Sequence, residues 1–402
     1  MFGFIEVITL LLSLSGFGVQ ANPKAPTADQ SLQYAMPDAD VVVHFDAATV
    51  IPNNYKLLAA LPNKPEIKAS PELAQIVRQL VGQMEGARGL AKSATGIDLA
   101  TDINDATVFI QIVPQKDPNF IATVHGKFST ALVEKIGKMT KGTVTKVGSA
   151  MMVETGGNDP AMGVTKDGVL IAGTPSLVRD RLGDQWKMPS HAAGTNLGYA
   201  ADVINGHPVY ALVLTMSPTA RKQAIQGIGG KNFLTDVITR HKLATFVVYA
   251  DGVGWTWIDS NKAGVDSMQM MSEGALELMK AAQIAPRGFA KIVLGAIDSY
   301  KGTNKQIDAV IAHKADLLKI VDTYSGDGNF KVSVNKDAAK LRLDVRATGK
   351  SLSEVLPAGL LLPGMAVALW TSRARPMQDQ MQPVQVTPSQ PAKQPALSGG
   401  KK

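Results

Sequence analysis

At 402 residues, 45% hydrophobic and 19% charged, the chain is long enough for two domains and too apolar for a disordered protein. The formal charge of +7 is thinly spread: Glu6 gives the N-terminal segment −1, five bases from Arg373 to Lys402 against Asp379 give the C-terminal tail +4, and +4 is left between them. No basic run interleaved with aromatics occurs, which argues against nucleic acid as a partner, and the lack of cysteine excludes disulfides, thiolate nucleophiles and sulfur-ligated metal.

The first predicted element is a leader. Val7 to Gly18 is a short apolar run of signal-peptide length, and Val19-Gln20-Ala21 places small or modest side chains where a signal peptidase reads them, so residues 1–21 are expected to be removed on export. Glu6 stands where a basic residue is usual; the competing reading is a buried N-terminal helix or an uncleaved anchor. Residues 22–34 are polar and Pro/Ala/Thr-rich, which predicts a flexible spacer.

The β-branched run at 40–46 predicts a strand, and Ser70-Pro71-Glu72 has an N-cap and a first-position proline for a long helix. Leu73, Ile76, Val77, Leu80, Val81 and Met84 recur along it at helical spacing. Asn104-Asp105 reads as a turn, followed by a hairpin of strands at 107–113 and 120–125, a helix at 130–139, short strands across 143–173 and a helix after Pro175. A similar order then recurs: a strand at 208–214, a helix opened by Ser217-Pro218, a hairpin within 243–261, a Met-rich helix at 265–282 and a last hairpin at 330–345, turning at Asn335-Lys336-Asp337. The expected fold is α+β, with two related modules at 35–190 and 204–350, each an antiparallel sheet of hairpins packed with helices on one side. Residues 352–372 form an apolar segment in which Val355 to Trp370 carries no charge. It contains Pro357 and Pro363 and precedes Arg373 and Arg375, so it reads either as a membrane anchor or as buried core. Residues 373–402 are a Pro/Gln-rich tail of disordered composition.

Chemistry is sparse. Gly227-Ile228-Gly229-Gly230-Lys231 lacks the spacing and the Ser or Thr of a phosphate loop, and no G-x-S-x-G elbow occurs. The S-x-x-K matches at Ser333 and Ser398 fall on a predicted hairpin and on the tail. None of His44, His125, His191, His207, His241 and His313 forms an H-x-x-x-H pair, and neither a metal site nor a cofactor site is predicted. The weak catalytic candidates are His44, Asp46 and Asp40, which alternation puts on one face of a strand, where a carboxylate could orient a general base. The plainer reading makes them the solvated face, with Val41, Val43 and Phe45 inward. Met268, Met270, Met271 and Met279 read as helix core, and Trp255 and Trp257 share one face of a strand.

The strand at Pro37 to Asp46, the phrase Thr95-Gly96-Ile97-Asp98-Leu99 ahead of a hairpin, and Asp167-Gly168-Val169-Leu170 leading into Gly173-Thr174-Pro175-Ser176 resemble bacterial exported envelope proteins known only as domains of unknown function. The resemblance implies an exported, periplasmic or membrane-anchored protein and carries over no catalytic residue. The reading at this level is a non-enzymatic binding or scaffolding protein of the cell envelope, with an envelope protein as partner and membrane contact through Val355 to Trp370. The alternative is a periplasmic hydrolase or small-ligand-binding protein.

Overall fold

A central strand buried on both faces organises this chain. In a computed structural model, which describes residues 27–349 apart from 64–67, 69, 70, 99, 115, 157, 158, 229–232, 297–300, 303–307, 309, 310, 316, 317 and 319–329, β1 (Val41–Phe45) pairs antiparallel with β2 (Ile103–Gln111) on one side and β8 (Tyr210–Leu214) on the other. The leader, the apolar segment 352–372 and the tail lie outside the described residues.

From β2 the sheet continues through β3 (Asn119–Gly126), β7 (Val169–Gly173), β6 (Ala161–Val164) and β5 (Ala150–Glu154) to β4 (Thr143–Val147). From β8 it continues through β9 (His241–Tyr249), β10 (Gly252–Asp259) and β12 (Arg342–Thr348) to β11 (Lys331–Asp337). Among the described residues, twelve strands form one sheet and every pairing is antiparallel. The chain is thus a mixed α/β protein with a large antiparallel sheet.

Helices cover both faces of this sheet, and the expectation of helices on one side is corrected. On the first face α1 (Ala28–Ser31), α5 (Pro175–Leu182) and α6 (Asn196–Ile204) pack Leu32, Val178, Leu182, Leu197 and Ile204 against Val42, Phe109, Ile121 and Ile171. On the second, α2 (Ala47–Ala60) and α9 (Lys262–Ala296) bring Val50, Ile51, Val265 and Leu276 against Phe45, Tyr210, Val248 and Val345. There too α4 (Thr130–Thr140) sets Val133 on Val153 and Val164. The reason lies in β1, whose two alternating side-chain sets both meet apolar neighbours, as interior strands of a wide sheet do.

The predicted spacer is also corrected over residues 27–34. Thr27 caps α1 in a reciprocal box with Gln30, and Leu32 and Tyr34 are buried. Trp186 donates its indole N–H to the Gln33 carbonyl at 3.1 Å, and the Arg181 guanidinium stacks on the Trp186 ring at 4.4 Å. A polar composition did not predict flexibility here, because the apolar residues within and just after the segment close the first core.

The long helix opened by Pro71 is α3 (Pro71–Thr95), and its C-terminal end is fastened by an ion pair. Arg88 donates from Nε and Nη2 to the two oxygens of Asp98, at 2.7 and 2.8 Å, and Lys92 approaches at 3.4 Å. The Arg88 hydrogen bonds hold the Asp98 carboxyl far below the usual carboxylate range. Asp98→Ala is expected to cost about 2 kcal/mol, because the fork is bidentate and Asp98 also accepts the Ala100 N–H. Urea unfolding at neutral pH checks this, and a loss too small to measure would refute it.

Further elements depart from the sequence reading. The last hairpin turns at 338–341, a few residues later than predicted, because the Asp337 carboxylate accepts the N–H groups of Ala339 and Lys340 and sets the turn behind itself. The Met-rich helix extends to 35 residues. Met268 and Met279 pack on the second core as expected, whereas Met270 and Met271 are exposed. Trp255 hands its indole N–H to Ser272 of α9 at 2.8 Å, fixing helix to sheet.

Candidate functional site

Asp40, His44 and Asp46 are all buried, which corrects the solvated-face reading. The Asp40 carboxylate accepts the backbone N–H of Ile112 at 2.8 Å and of Ser217 at 2.6 Å. Its own N–H donates to Ile110 and its carbonyl accepts from Thr215. Asp40 therefore ties the end of β1 to the segments leaving β2 and β8. Asp46 is the N-cap of α2: one oxygen accepts the Thr49 N–H at 3.0 Å and the other its hydroxyl at 2.5 Å. Burial pushes the Asp46 carboxyl above its ordinary value, against the pull of the Thr49 bonds. Neither carboxylate orients His44, which corrects the expected arrangement.

The residues that do surround His44 come from β2, β3 and α1. Cross-strand register sets His44 beside Thr107, Thr107 beside Thr123, and Asp105 beside His125. His44 Nδ1 is 3.0 Å from Thr107 Oγ1 and 3.9 Å from Asp105 Oδ2. The other Asp105 oxygen is 2.9 Å from His125 Nδ1, but the two are not aligned as a hydrogen bond. Ser31 of α1 donates its hydroxyl to Asp105 Oδ2 at 2.8 Å. Burial lowers the His44 pKa to about 4, the Asp105 carboxylate opposing that shift and His125 reinforcing it.

A neutral imidazole beside a buried carboxylate has the parts of a proton relay. Its geometry limits what it does: the Ser31 hydroxyl is bonded to the carboxylate and not to an imidazole, so no base stands ready to activate it as a nucleophile. No group of His, Cys, Asp and Glu suited to hold a metal is found among the described residues. An open groove lies elsewhere, along α7 (Pro218–Ile228), lined by Pro218, Arg221, Lys222, Ile225 and Gln226. There Arg221 is occupied in donating to the carbonyls of Met216, Thr239 and His241.

Sequence reading passed over Asp105 and Ser31. Asn104-Asp105 has the composition of a turn, yet both residues lie within β2, where alternation with Ile103 and Thr107 turns the Asp105 carboxylate inward. The available signal was the pairing of β1 with β2: once His44 faces Thr107, Asp105 two residues earlier shares its face.

No protein-family model matches the chain, and no curated protein matches it. Among solved structures, three crystal forms of TP0453 are similar to it. Form III is 11% identical, covers 82% of this chain and 97% of its own, and has a TM-score of 0.34. Form I is 10% identical, covers 83% and 98%, and has a TM-score of 0.32. Form IV is 11% identical, covers 60% and 81%, and has a TM-score of 0.31. Likeness at this level carries no argument about the present chain.

Among the described residues no helix is long and apolar enough to cross a membrane. Val355 to Trp370 lies outside them.

Proposed function

We propose that this chain is an exported, non-enzymatic binding or scaffolding protein of the cell envelope, built from two related α+β modules. The observation that carries the non-enzymatic reading is the commitment of Asp40 and Asp46 to backbone amides and caps. With the carboxylates next to His44 in sequence spent on architecture, that strand is a joint, while large apolar side chains such as Met270, Leu278 and Ile292 of α9 face solvent. The kinship of the modules is supported by strand order, since β10-β9-β8 and β1-β2-β3 run outward from the β1 and β8 pair in mirrored sequence. The leader and its small residues before Asn22 support export, and Val355 to Trp370 is the proposed membrane contact.

The His44, Asp105 and His125 cluster favours a second reading, a periplasmic hydrolase or small-ligand binder. It stands second because the Ser31 hydroxyl bonds the Asp105 carboxylate rather than an imidazole, and the Asp105 to His125 approach is not aligned as a hydrogen bond.

In-cell crosslinking followed by fractionation tests the proposal, using the full chain and one truncated after Ser353. The expected result is an envelope-bound full chain beginning at Asn22 and crosslinked to another envelope protein, with the truncated chain released to the soluble fraction. Retention of the leader in the cytoplasm would overturn export, and equal solubility of the two chains would overturn the anchor.

A further inference from the structure

The sheet ends at β11 in an edge that nothing among the described residues covers. Its first six residues are exposed on both faces, and Val332 and Val334 are each 40% exposed. Their partners on β12, Ala347 and Val345, belong to the second core, so the two valines continue an apolar face beyond the cover of α9. An edge of this length with unclaimed apolar side chains is a template for another strand.

The strand is also complementary to itself. Laid antiparallel against a second copy and centred on Val334, the sequence Lys-Val-Ser-Val-Asn-Lys-Asp sets Lys331 against Asp337, Val332 against Lys336, Ser333 against Asn335, and Val334 against Val334. The charged and Ser/Asn pairs fall on one face and the valines on the other, beside α9, where Lys336 is held by Asp266 and Gln269. The Lys336 stem is left to cover Val332. The opposite edge, β4, lacks these properties: its Val144 and Val147 are already packed, and it carries Lys146 with no acid to meet it. The central β1 and β8 pair shows the same kind of antiparallel junction within the chain.

We propose that β11 is the interface through which two copies of this chain pair, edge to edge and antiparallel, about a two-fold axis at Val334. Each dimer then contains two Lys331 to Asp337 pairs and one buried valine pair, and the sheet continues from one copy into the other. This inference does not depend on where the protein resides or on whether it is anchored.

The chain has no cysteine, so an introduced one reports its own neighbour. In the full-length protein, Val334→Cys is expected to form a disulfide-linked dimer under mild oxidation, because residues opposite each other in an antiparallel pair have Cα atoms about 4.5 to 5.5 Å apart. Lys331→Cys is not expected to do so, since the two copies of that residue stand about 20 Å apart along the strands. Light scattering of the wild-type protein should give twice the monomer mass at micromolar concentration. Lys331→Glu, which sets like charges opposite one another at two symmetric places, should weaken dimerisation about tenfold. Circular dichroism distinguishes a failed interface from a failed fold, as both sites are exposed. A monomeric wild-type protein, whether because its own tail or a foreign strand takes the edge, would overturn the proposal. So would equal crosslinking at 331 and 334, or a dimer indifferent to Lys331→Glu.

Discussion

Asp40→Ala is expected to destabilise the protein by about 4 kcal/mol, an unusually large loss for a single side chain. Two backbone N–H groups, those of Ile112 and Ser217, donate to its carboxylate. Each bond to a charged acceptor is worth about 1.5 to 3 kcal/mol, and alanine leaves both donors without their partner. The effect falls at the junction of the sheet, since Ile112 follows β2 and Ser217 follows β8, and Asp40 is the residue that reaches both. Asp40→Asn keeps one carbonyl oxygen and turns an amide N–H₂ toward the second donor, so it should recover about half of the loss. Urea unfolding of the two variants against wild type measures this. A loss below about 1 kcal/mol for Asp40→Ala would show that solvent replaces the carboxylate and that the junction is held by strand pairing alone.

The second large effect is a dependence on pH that originates in His44. Its folded pKa of about 4 lies below the ordinary imidazole value of 6.5. Between those two values the unfolded chain binds more protons than the folded one, so stability falls as the pH drops through this window and levels off below it. The difference corresponds to about 3 kcal/mol. The groups facing His44 are Asp105, which favours its charged form, His125, which opposes it, and Thr107, which supplies a neutral partner. Two other carboxylates act differently. Asp98, with its depressed pKa, loses its contribution as pH falls through the carboxylate range and below. Asp46, with its raised pKa, favours the fold more at acid pH. Comparison of wild type with His44→Gln isolates the histidine, because both carboxylates remain in each protein. The variant is expected to lack the decline between pH 6.5 and 4. Parallel stability curves for the two proteins would mean that His44 protonates in the folded state without penalty.

Both effects depend on a burial that local sequence could not supply. Asp40, His44 and Asp46 alternate with Val41, Val43 and Phe45 in the manner of a strand with one wet face. That pattern implied a shared, solvated face for the three. It did not reveal that α1, from the segment read as spacer, covers that face, or that the carboxylates are consumed by amides distant in sequence. Asp46 is the exception: Asp-x-x-Thr ahead of Val50 and Ile51 is a local helix signal, and its capping role was legible from neighbours alone.

The remaining limits have similar causes. The Asn104-Asp105 pair was read by composition as a turn, whereas β2 includes it, with Asp105 paired to His125 of β3 and a shift of register between Ile103 and Asp105. Of the methionines in the long helix, Met268 and Met279 lie on its core face, Met270 is about 200° away from Met268 on the opposite side, and Met271 stands at the edge of that face, exposed.

By itself the sequence determined the alternation of strand and helix, the hairpins, and the lack of cysteine chemistry. These follow from periods of two and 3.6, from turn residues and from composition, all of which act over a few neighbouring residues. Tertiary structure decided that the twelve strands among the described residues join in one sheet, that helices cover both of its faces, and that Asp105 comes beside both His44 and His125. These are contacts between residues tens to hundreds of positions apart, and their free energy comes from burial and from satisfying buried polar groups, which no local pattern records.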